Sequence, residues 1–323
     1  MNTKTIFIFL LLLNVIFLSI YTYLAEKKYQ STHKVSEMRE QWAYTFINPL
    51  LECNIEYSYY NPGVIKNKLL NYIEDELEKP EITTVSYYFR SLQTGEYFWY
   101  NDTEQFTPAS LLKLPLSISL LKNVSLPDLE TIGLTDEVVD EKIERNYWSD
   151  MIEKWKNYSL KFLLTQMLSN SDNLAAMLLS EYLWWDLINV TYKDFWLTDI
   201  NIMDPTPISI STSEYSKFFR VLYNASYLPR SSSEYILELL SKSAFKVGIR
   251  WQLPPSLLIA NKFWERLFAD TGERQIHDCG IVYLEKPYFL CIMTRGTDFD
   301  MQIQIIQRIS KMVYDDMILQ KLE

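Results

Sequence analysis

Strand-forming segments stand at both ends of the structured part of this chain, with a long helical block between them, and that order limits the folds open to it. Ile65, Leu69, Ile73 and Leu77 recur every four residues, the period of a helix with one apolar face, and Pro80 closes it. Residues 83–92 and 96–100 are rich in β-branched and aromatic side chains around Gln93-Thr94-Gly95, the composition of a β-hairpin. Helical periodicity dominates from Thr107 to about Leu240. Strand character returns at 257–264, 279–284 and 288–294, and a last helix carries Phe299, Ile303, Ile306, Ile309, Val313 and Met317 on one face. Pairing between strands from the two chain ends predicts a single interleaved unit over residues 62–323. Its class is α+β: an antiparallel β-sheet flanked by N- and C-terminal helices, plus an all-helical lobe.

Composition removes several function classes. Hydrophobic residues make up 48% and charged residues 22% of the 323, the balance of a globular protein with a sizeable core. Seven glycines and no G-x-G-x-x-G or P-loop pattern argue against nucleotide binding. A net charge of −10 without a long basic stripe argues against a nucleic-acid partner. His33 and His277 are the only histidines and neither sits in a ligand cluster, so no metal or other cofactor is expected. Cys53, Cys279 and Cys291 are odd in number and form no CxxC pair. Buried free thiols are the expectation, with a bridge between Cys279 and Cys291, on neighbouring strands, as the alternative.

Residues 5–24 form an apolar run of twenty residues, broken only by Asn14 and a few hydroxyl side chains. As a helix it would be about 30 Å long, enough to cross a bilayer core. A signal peptide would have a shorter apolar region and a small-residue cleavage site, whereas residues 21–28 read Tyr-Thr-Tyr-Leu-Ala-Glu-Lys-Lys. The expectation is an uncleaved, single-pass transmembrane anchor over 1–28 and a stalk over 29–61 that merges with the domain around Asn48. Lys4 lies on one side of the run and Lys27 and Lys28 on the other, so loop charge leaves the orientation open.

Two short motifs carry chemistry. Ser110-Leu-Leu-Lys113 puts a hydroxyl one helical turn from an amine, with Thr107 as the expected cap and Pro108 in the first turn. A buried amine at the positive end of a helix can lose its proton and act as a base. Ser171-Asp172-Asn173 follows sixty-one positions downstream, between two helical runs. Ser-x-x-Lys, then Ser-Asp-Asn, then Lys-Thr-Gly on a strand is the motif set of class A β-lactamases and penicillin-binding proteins, and this chain resembles them. The segment from Thr94 to Asn101, leading into Phe106-Thr-Pro-Ala-Ser110, is similar to the hairpin before that family's nucleophile. Residues 276–283 and 287–296 resemble its last two strands, and the likeness runs from about residue 60 to the end.

The resemblance implies a role for each residue. Ser110 is the acyl-accepting nucleophile and Lys113 its base. Ser171 passes a proton to the leaving nitrogen, Asn173 holds the substrate amide and steadies Lys113, and Asp172 supports the turn. Lys262 supplies positive charge to a substrate carboxylate. Backbone N–H groups of Ser110 and Glu265 form the oxyanion hole. The catalytic domain is expected outside the cytoplasmic membrane.

Two departures bear on turnover. Lys262-Phe263-Trp264 stands where the family has Lys-Thr-Gly, and a tryptophan there could fill the cleft or turn aside. No Glu-x-x-Leu-Asn occurs between Asn173 and Lys262, so the glutamate that activates the deacylating water has no counterpart. Three functions follow: a hydrolase of a β-lactam or related amide, a penicillin-binding-protein-like peptidase acting on peptidoglycan-like peptides, or a non-catalytic binder with an occluded cleft.

Overall fold

A computed structural model describes residues 33–39, 44–57, 63–135, 152–153, 155–197 and 208–319. The apolar run at 5–24 lies outside the described residues, and no described helix is long and apolar enough to cross a membrane. Most of the loop at 198–209, between the second and third motifs, also lies outside them.

Strands β1 (His33–Arg39) and β2 (Leu50–Tyr57) form an antiparallel ribbon. Helix α1 (Gly63–Leu77) follows, then the hairpin β3 (Ile82–Ser91) and β4 (Tyr97–Tyr100). The helical block comprises α2 (Lys113–Asn123), α3 (Asp128–Thr131), α4 (Leu160–Ser169), α5 (Asn173–Leu183), α6 (Trp185–Asp194), α7 (Thr212–Tyr223) and α8 (Arg230–Ser241). It also contains a short pair, β5 (Gly133–Thr135) with β6 (Asn157–Ser159), which helical periodicity did not signal. Strands β7 (Ile259–Leu267), β8 (Arg274–Val282) and β9 (Tyr288–Gly296) lead into α9 (Phe299–Leu319).

Five strands make the central sheet in the order β4-β3-β9-β8-β7, all antiparallel. Pairing of β3 with β9 joins the chain ends, as the order of periodicities requires. Both faces of the sheet are covered, so successive side chains enter two different cores. On one face Val85, Phe89, Ile276 and Ile292 pack against Ile65, Leu69 and Ile73 of α1 and Ile305, Ile309 and Val313 of α9. The opposite face meets the helical lobe through Tyr88, Phe289, Met293, Ala260 and Trp264.

Strand register settles the cysteines. Lys262 lies opposite Cys279, Cys279 opposite Cys291, and Cys291 opposite Tyr88, a row across four strands. Cys279 and Cys291 are disulfide-bonded, which corrects the expectation of free thiols. Direct cross-strand placement brings the two sulfurs together.

The expected stalk is fixed to the domain at its inner end. The Glu234 carboxylate of α8 accepts hydrogen bonds from the backbone N–H groups of Thr45, Phe46 and Ile47, at 2.7–3.1 Å. Phe46 and Ile47 are buried against the helical lobe, the Asn48 N–H donates to the Tyr223 carbonyl (2.8 Å), and Tyr283 Oη donates to the Phe46 carbonyl (3.0 Å). Arg39 reaches the Asn48 carbonyl (2.7 Å) and Asn224 Oδ1 (2.9 Å). Glu234→Ala removes one charged acceptor shared by three donors and should cost about 3 kcal/mol. Denaturant unfolding measures that loss, and limited proteolysis should show new cleavage at 44–49. Unchanged stability and unchanged protection there would contradict the clamp.

Candidate active site

The Ser110 turn is built differently from the expected capped helix. Ala109–Leu112 is a 3-10 turn whose cap residue, Pro108, is already in the helical region and makes no side-chain cap bond. Ala109 has φ of +32°, and the Thr107 N–H donates to Gln275 Oε1 (3.2 Å). Thr107 is therefore not the cap: a cap needs extended backbone directly before the helix, and Pro108 and Ala109 intervene. The turn is held from the lobe by Tyr215 Oη, which donates to the Leu111 carbonyl (3.1 Å), and it packs against β7. Helix α2 starts at Lys113, and Pro115 fits its first turn, where no intrahelical donor is needed.

The second motif is a bend between two helices. Asp172 caps α5 by accepting the Ala175 N–H (2.7 Å), so its buried carboxylate serves the turn, as the sequence reading had it. Ser171 has φ of +57°, a conformation that costs on the order of 1–3 kcal/mol for a residue other than glycine. That backbone turns the Ser171 carbonyl and hydroxyl toward the sheet.

Three elements converge on this bend. Lys113 Nζ donates to the Ser171 carbonyl, to Asn173 Oδ1 (2.6 Å) and to Ser171 Oγ (3.3 Å). Lys262 Nζ, from β7, donates to the same Oγ (2.7 Å) and to the Phe263 carbonyl (3.3 Å). Lys113, Ser171 and Lys262 are all buried. The expected Ser110–Lys113 hydrogen bond is not formed, because the acceptors of the Ser171–Asn173 bend take the amine. Ser110 is half-buried beside it, and its hydroxyl has no hydrogen-bond partner among the described residues. Glu265 lies three residues beyond Lys262 on the edge strand β7, with its side chain exposed. Lys113, Ser171, Asn173 and Lys262 are thus brought together, with Ser110 on the turn that leads into Lys113 and Glu265 further along β7.

Burial sets the electrostatics. Lys113 is lowered to about 7, chiefly by loss of solvent, with the Asp172 carboxylate opposing. Lys262 is pushed well below the usual lysine range by burial and then by the charge on Lys113, with Asp278 opposing. A proton on either amine therefore disfavours one on the other, and the Ser171 hydroxyl lies between them. Lys113 can therefore take up and return a proton near neutral pH.

Asp278 is the residue that motif reading missed. It is buried on β8 behind the site and accepts from Asn261 Nδ2 (2.8 Å) and the Ile249 N–H (2.8 Å). Burial raises its carboxyl to about 6, against those two bonds and the charges of Lys262 and Arg250. Gly248 permits this approach, since a Cβ there would come within 2.1 Å of Asp278 Oδ2. The one acid within strand β8, next to His277, was the available signal. Trp264 is buried on the same face of β7 as Lys262, against His277 (ring centroids 5.0 Å) and Phe268 (6.5 Å). Phe263 points to the other core and stacks on Phe245 at 3.9 Å. Among the described residues no cluster of His, Cys, Asp or Glu could hold a metal ion.

Known proteins share this architecture. A β-lactamase from Chitinophaga pinensis superposes with a TM-score of 0.68 at 18% identity, over 77% of this chain and 99% of that one. A class A β-lactamase from Bacteroides cellulosilyticus gives 0.68 at 19%, over 78% and 97%. PBP-A gives 0.65 at 19%, over 79% and 96%; a variant of PBP-A is similar too, in a structure described as an acyl-enzyme complex with penicillin G. Comparison with curated protein sequences finds no match. The β-lactamase enzyme family model matches residues 68–317, which contain both motifs and β7. The chain belongs to the β-lactamase enzyme family.

Proposed function

We propose that this protein is an active-site serine hydrolase that opens a β-lactam or a related amide through an acyl-enzyme on Ser110. The observation that carries the reading is the convergence of two buried amines, both depressed, on one serine hydroxyl beside the candidate nucleophile. Lys113, neutral near pH 7, takes the Ser110 proton as the hydroxyl attacks the carbonyl carbon. Ser171, whose hydroxyl lies 3.3 Å from the Lys113 amine, relays that same proton from Lys113 to the departing nitrogen, which restores the neutral amine. Asn173 holds the substrate amide, Lys262 faces its carboxylate, and the N–H groups of Ser110 and Glu265 receive the oxyanion. Residues 5–24 anchor the domain to a membrane, on the outer side.

A second reading, a peptidase acting on peptidoglycan-like peptides, is favoured by one feature. Without a Glu-x-x-Leu-Asn carboxylate no evident base activates water, so the acyl-enzyme persists. The likeness to PBP-A as well as to β-lactamases is compatible with either. A non-catalytic binder is disfavoured by the packing of Trp264 on His277 and Phe268, which commits the indole to the core.

Labelled penicillin should attach to Ser110 and leave slowly, a burst followed by slow turnover in pre-steady-state kinetics. Ser110→Ala should abolish the adduct in intact-mass measurement, and labelling that persists in that variant would refute the assignment. Lys113→Ala should slow labelling by at least about a hundredfold, the size of a general-base contribution.

The acylation rate should rise with pH through about 7 and then level, because lysine is the base only when neutral and Lys113 loses its proton there. A rate that is flat from pH 6 to 8 would contradict Lys113 as the base. Trp264→Gly should lower unfolding stability by about 3–5 kcal/mol, the cost of a large-to-small core change. Faster acylation at unchanged stability would instead make Trp264 a gate over the cleft.

A further inference from the structure

Helix α6 and the turns at its two ends expose four large apolar side chains that neither the core nor the site uses, among the exposed charges Asp186, Lys193 and Asp194. Leu187 is 38% and Val190 52% exposed, while Trp184, just before the helix, is 77% and Trp196, just after it, 86% exposed. Positions 187 and 190 are three apart and are neighbours on the helix surface, with Trp184 and Trp196 on the turns at its two ends. Both tryptophans occupy backbone that suits glycine: Trp184 has φ of +60° with ψ of 133°, and Trp196 has φ of +61°. A bulky residue there carries local strain and, being exposed, gains no packing in return. Among the described residues neither local structure nor the core accounts for the two indoles, and contact with something outside the chain would.

We propose that this helix and its flanking turns, through Trp184, Leu187, Val190 and Trp196, rest on the headgroup layer of a lipid bilayer. The inference depends on residues 5–24 being a membrane anchor, as proposed above. The anchored end of the chain attaches next to this face. Arg39 bonds Asn224 at the C-terminus of α7; three residues on, Tyr227 donates to Asp194 Oδ2 (2.6 Å) and packs on Phe195 (ring centroids 5.1 Å), beside Trp196. Fourteen residues lie between Leu24, the end of the apolar run, and Arg39, so the chain can hold this corner no more than about 50 Å from the bilayer. Indoles favour the boundary between lipid and water, where an apolar ring and a polar N–H are both accommodated. Leu187 and Val190 select lipid over a glycan platform, which would use the flat rings and have no need of aliphatic neighbours. Asp186, Lys193 and Asp194 leave the helix with one net negative charge, so contact does not depend on anionic lipid.

The test uses the full chain in phosphatidylcholine vesicles whose acyl chains carry bromine, a contact quencher of indole fluorescence. The stretch 1–28 contains no tryptophan, so quenching reports on the rest of the chain. The unmodified protein should float with the vesicles and be quenched. The W184G/W196G double variant should float equally and lose most of the quenching. Its thermal stability should be equal or higher, since glycine suits both positions. Equal quenching in both proteins, with both floating, would overturn the lipid contact while leaving the anchor intact. A chain that fails to float would overturn the anchor and this contact with it. Unquenched protein with a concentration-dependent dimer lost in the variant would assign the face to a second copy instead. A fluorescence response to soluble peptidoglycan fragments, absent in the variant, would assign it to glycan.

Discussion

Two lysine side chains buried against one serine hydroxyl hold this site together, and each comes from a different part of the fold. Lys113 stands at the start of α2, Ser171 at the bend before α5, and Lys262 on the edge strand of the sheet. The three meet only when the helical lobe closes on the sheet, so the chemistry is a property of the assembled unit. Closure also removes the water that would keep both amines charged. Desolvation is the larger cause of the depression at each lysine, and their mutual repulsion adds to it at Lys262. The Lys113 amine is thereby brought to neutrality near the pH at which a hydroxyl nucleophile needs a base.

Two buried acids and a disulfide support this arrangement. The Ser171 bend is maintained by the Asp172 cap and by the Asp172 N–H, which donates to the Gln166 carbonyl (3.1 Å). Behind β7, Asp278 offers negative charge to Lys262 without touching it, and its own oxygens are occupied by Asn261 and Ile249. A buried carboxylate satisfied by neutral donors can moderate a nearby amine without forming a fixed ion pair that would lock it charged. The Cys279–Cys291 bridge ties β8 to β9 directly beside Lys262 in the same cross-strand row.

Much of the fold could be read from residue patterns. The four-residue repeat from Ile65 to Leu77 ends in the structure at Leu77, and the stripe from Phe299 to Met317 is one helix. The hairpin around Gln93-Thr94-Gly95 forms as its composition requires. What stayed hidden depends on register or on backbone angles. A cross-strand disulfide needs to know which residues face each other, and a slip of one position would separate Cys279 from Cys291. The 3-10 turn at Ala109 and the absence of a Thr107 cap follow from a positive φ that no pattern announces. Spacing put Lys113 within reach of Ser110 but could not reveal that the Ser171 carbonyl and Asn173 would compete for the amine. The β5–β6 pair is three residues long on each side, too short to interrupt a helical period visibly.

The depressed state of Lys113 is the claim on which the chemistry rests, and it can be observed without a substrate. Isotope-labelled lysine side chains, followed by NMR across pH 5 to 11 with Lys113→Arg to assign the signal, report its titration directly. A midpoint near 7 is the expected result. The midpoint should fall further when Asp172→Asn removes the opposing carboxylate charge. An ordinary lysine midpoint of about 10.4 would contradict a neutral amine as the base and leave Ser110 without an activator.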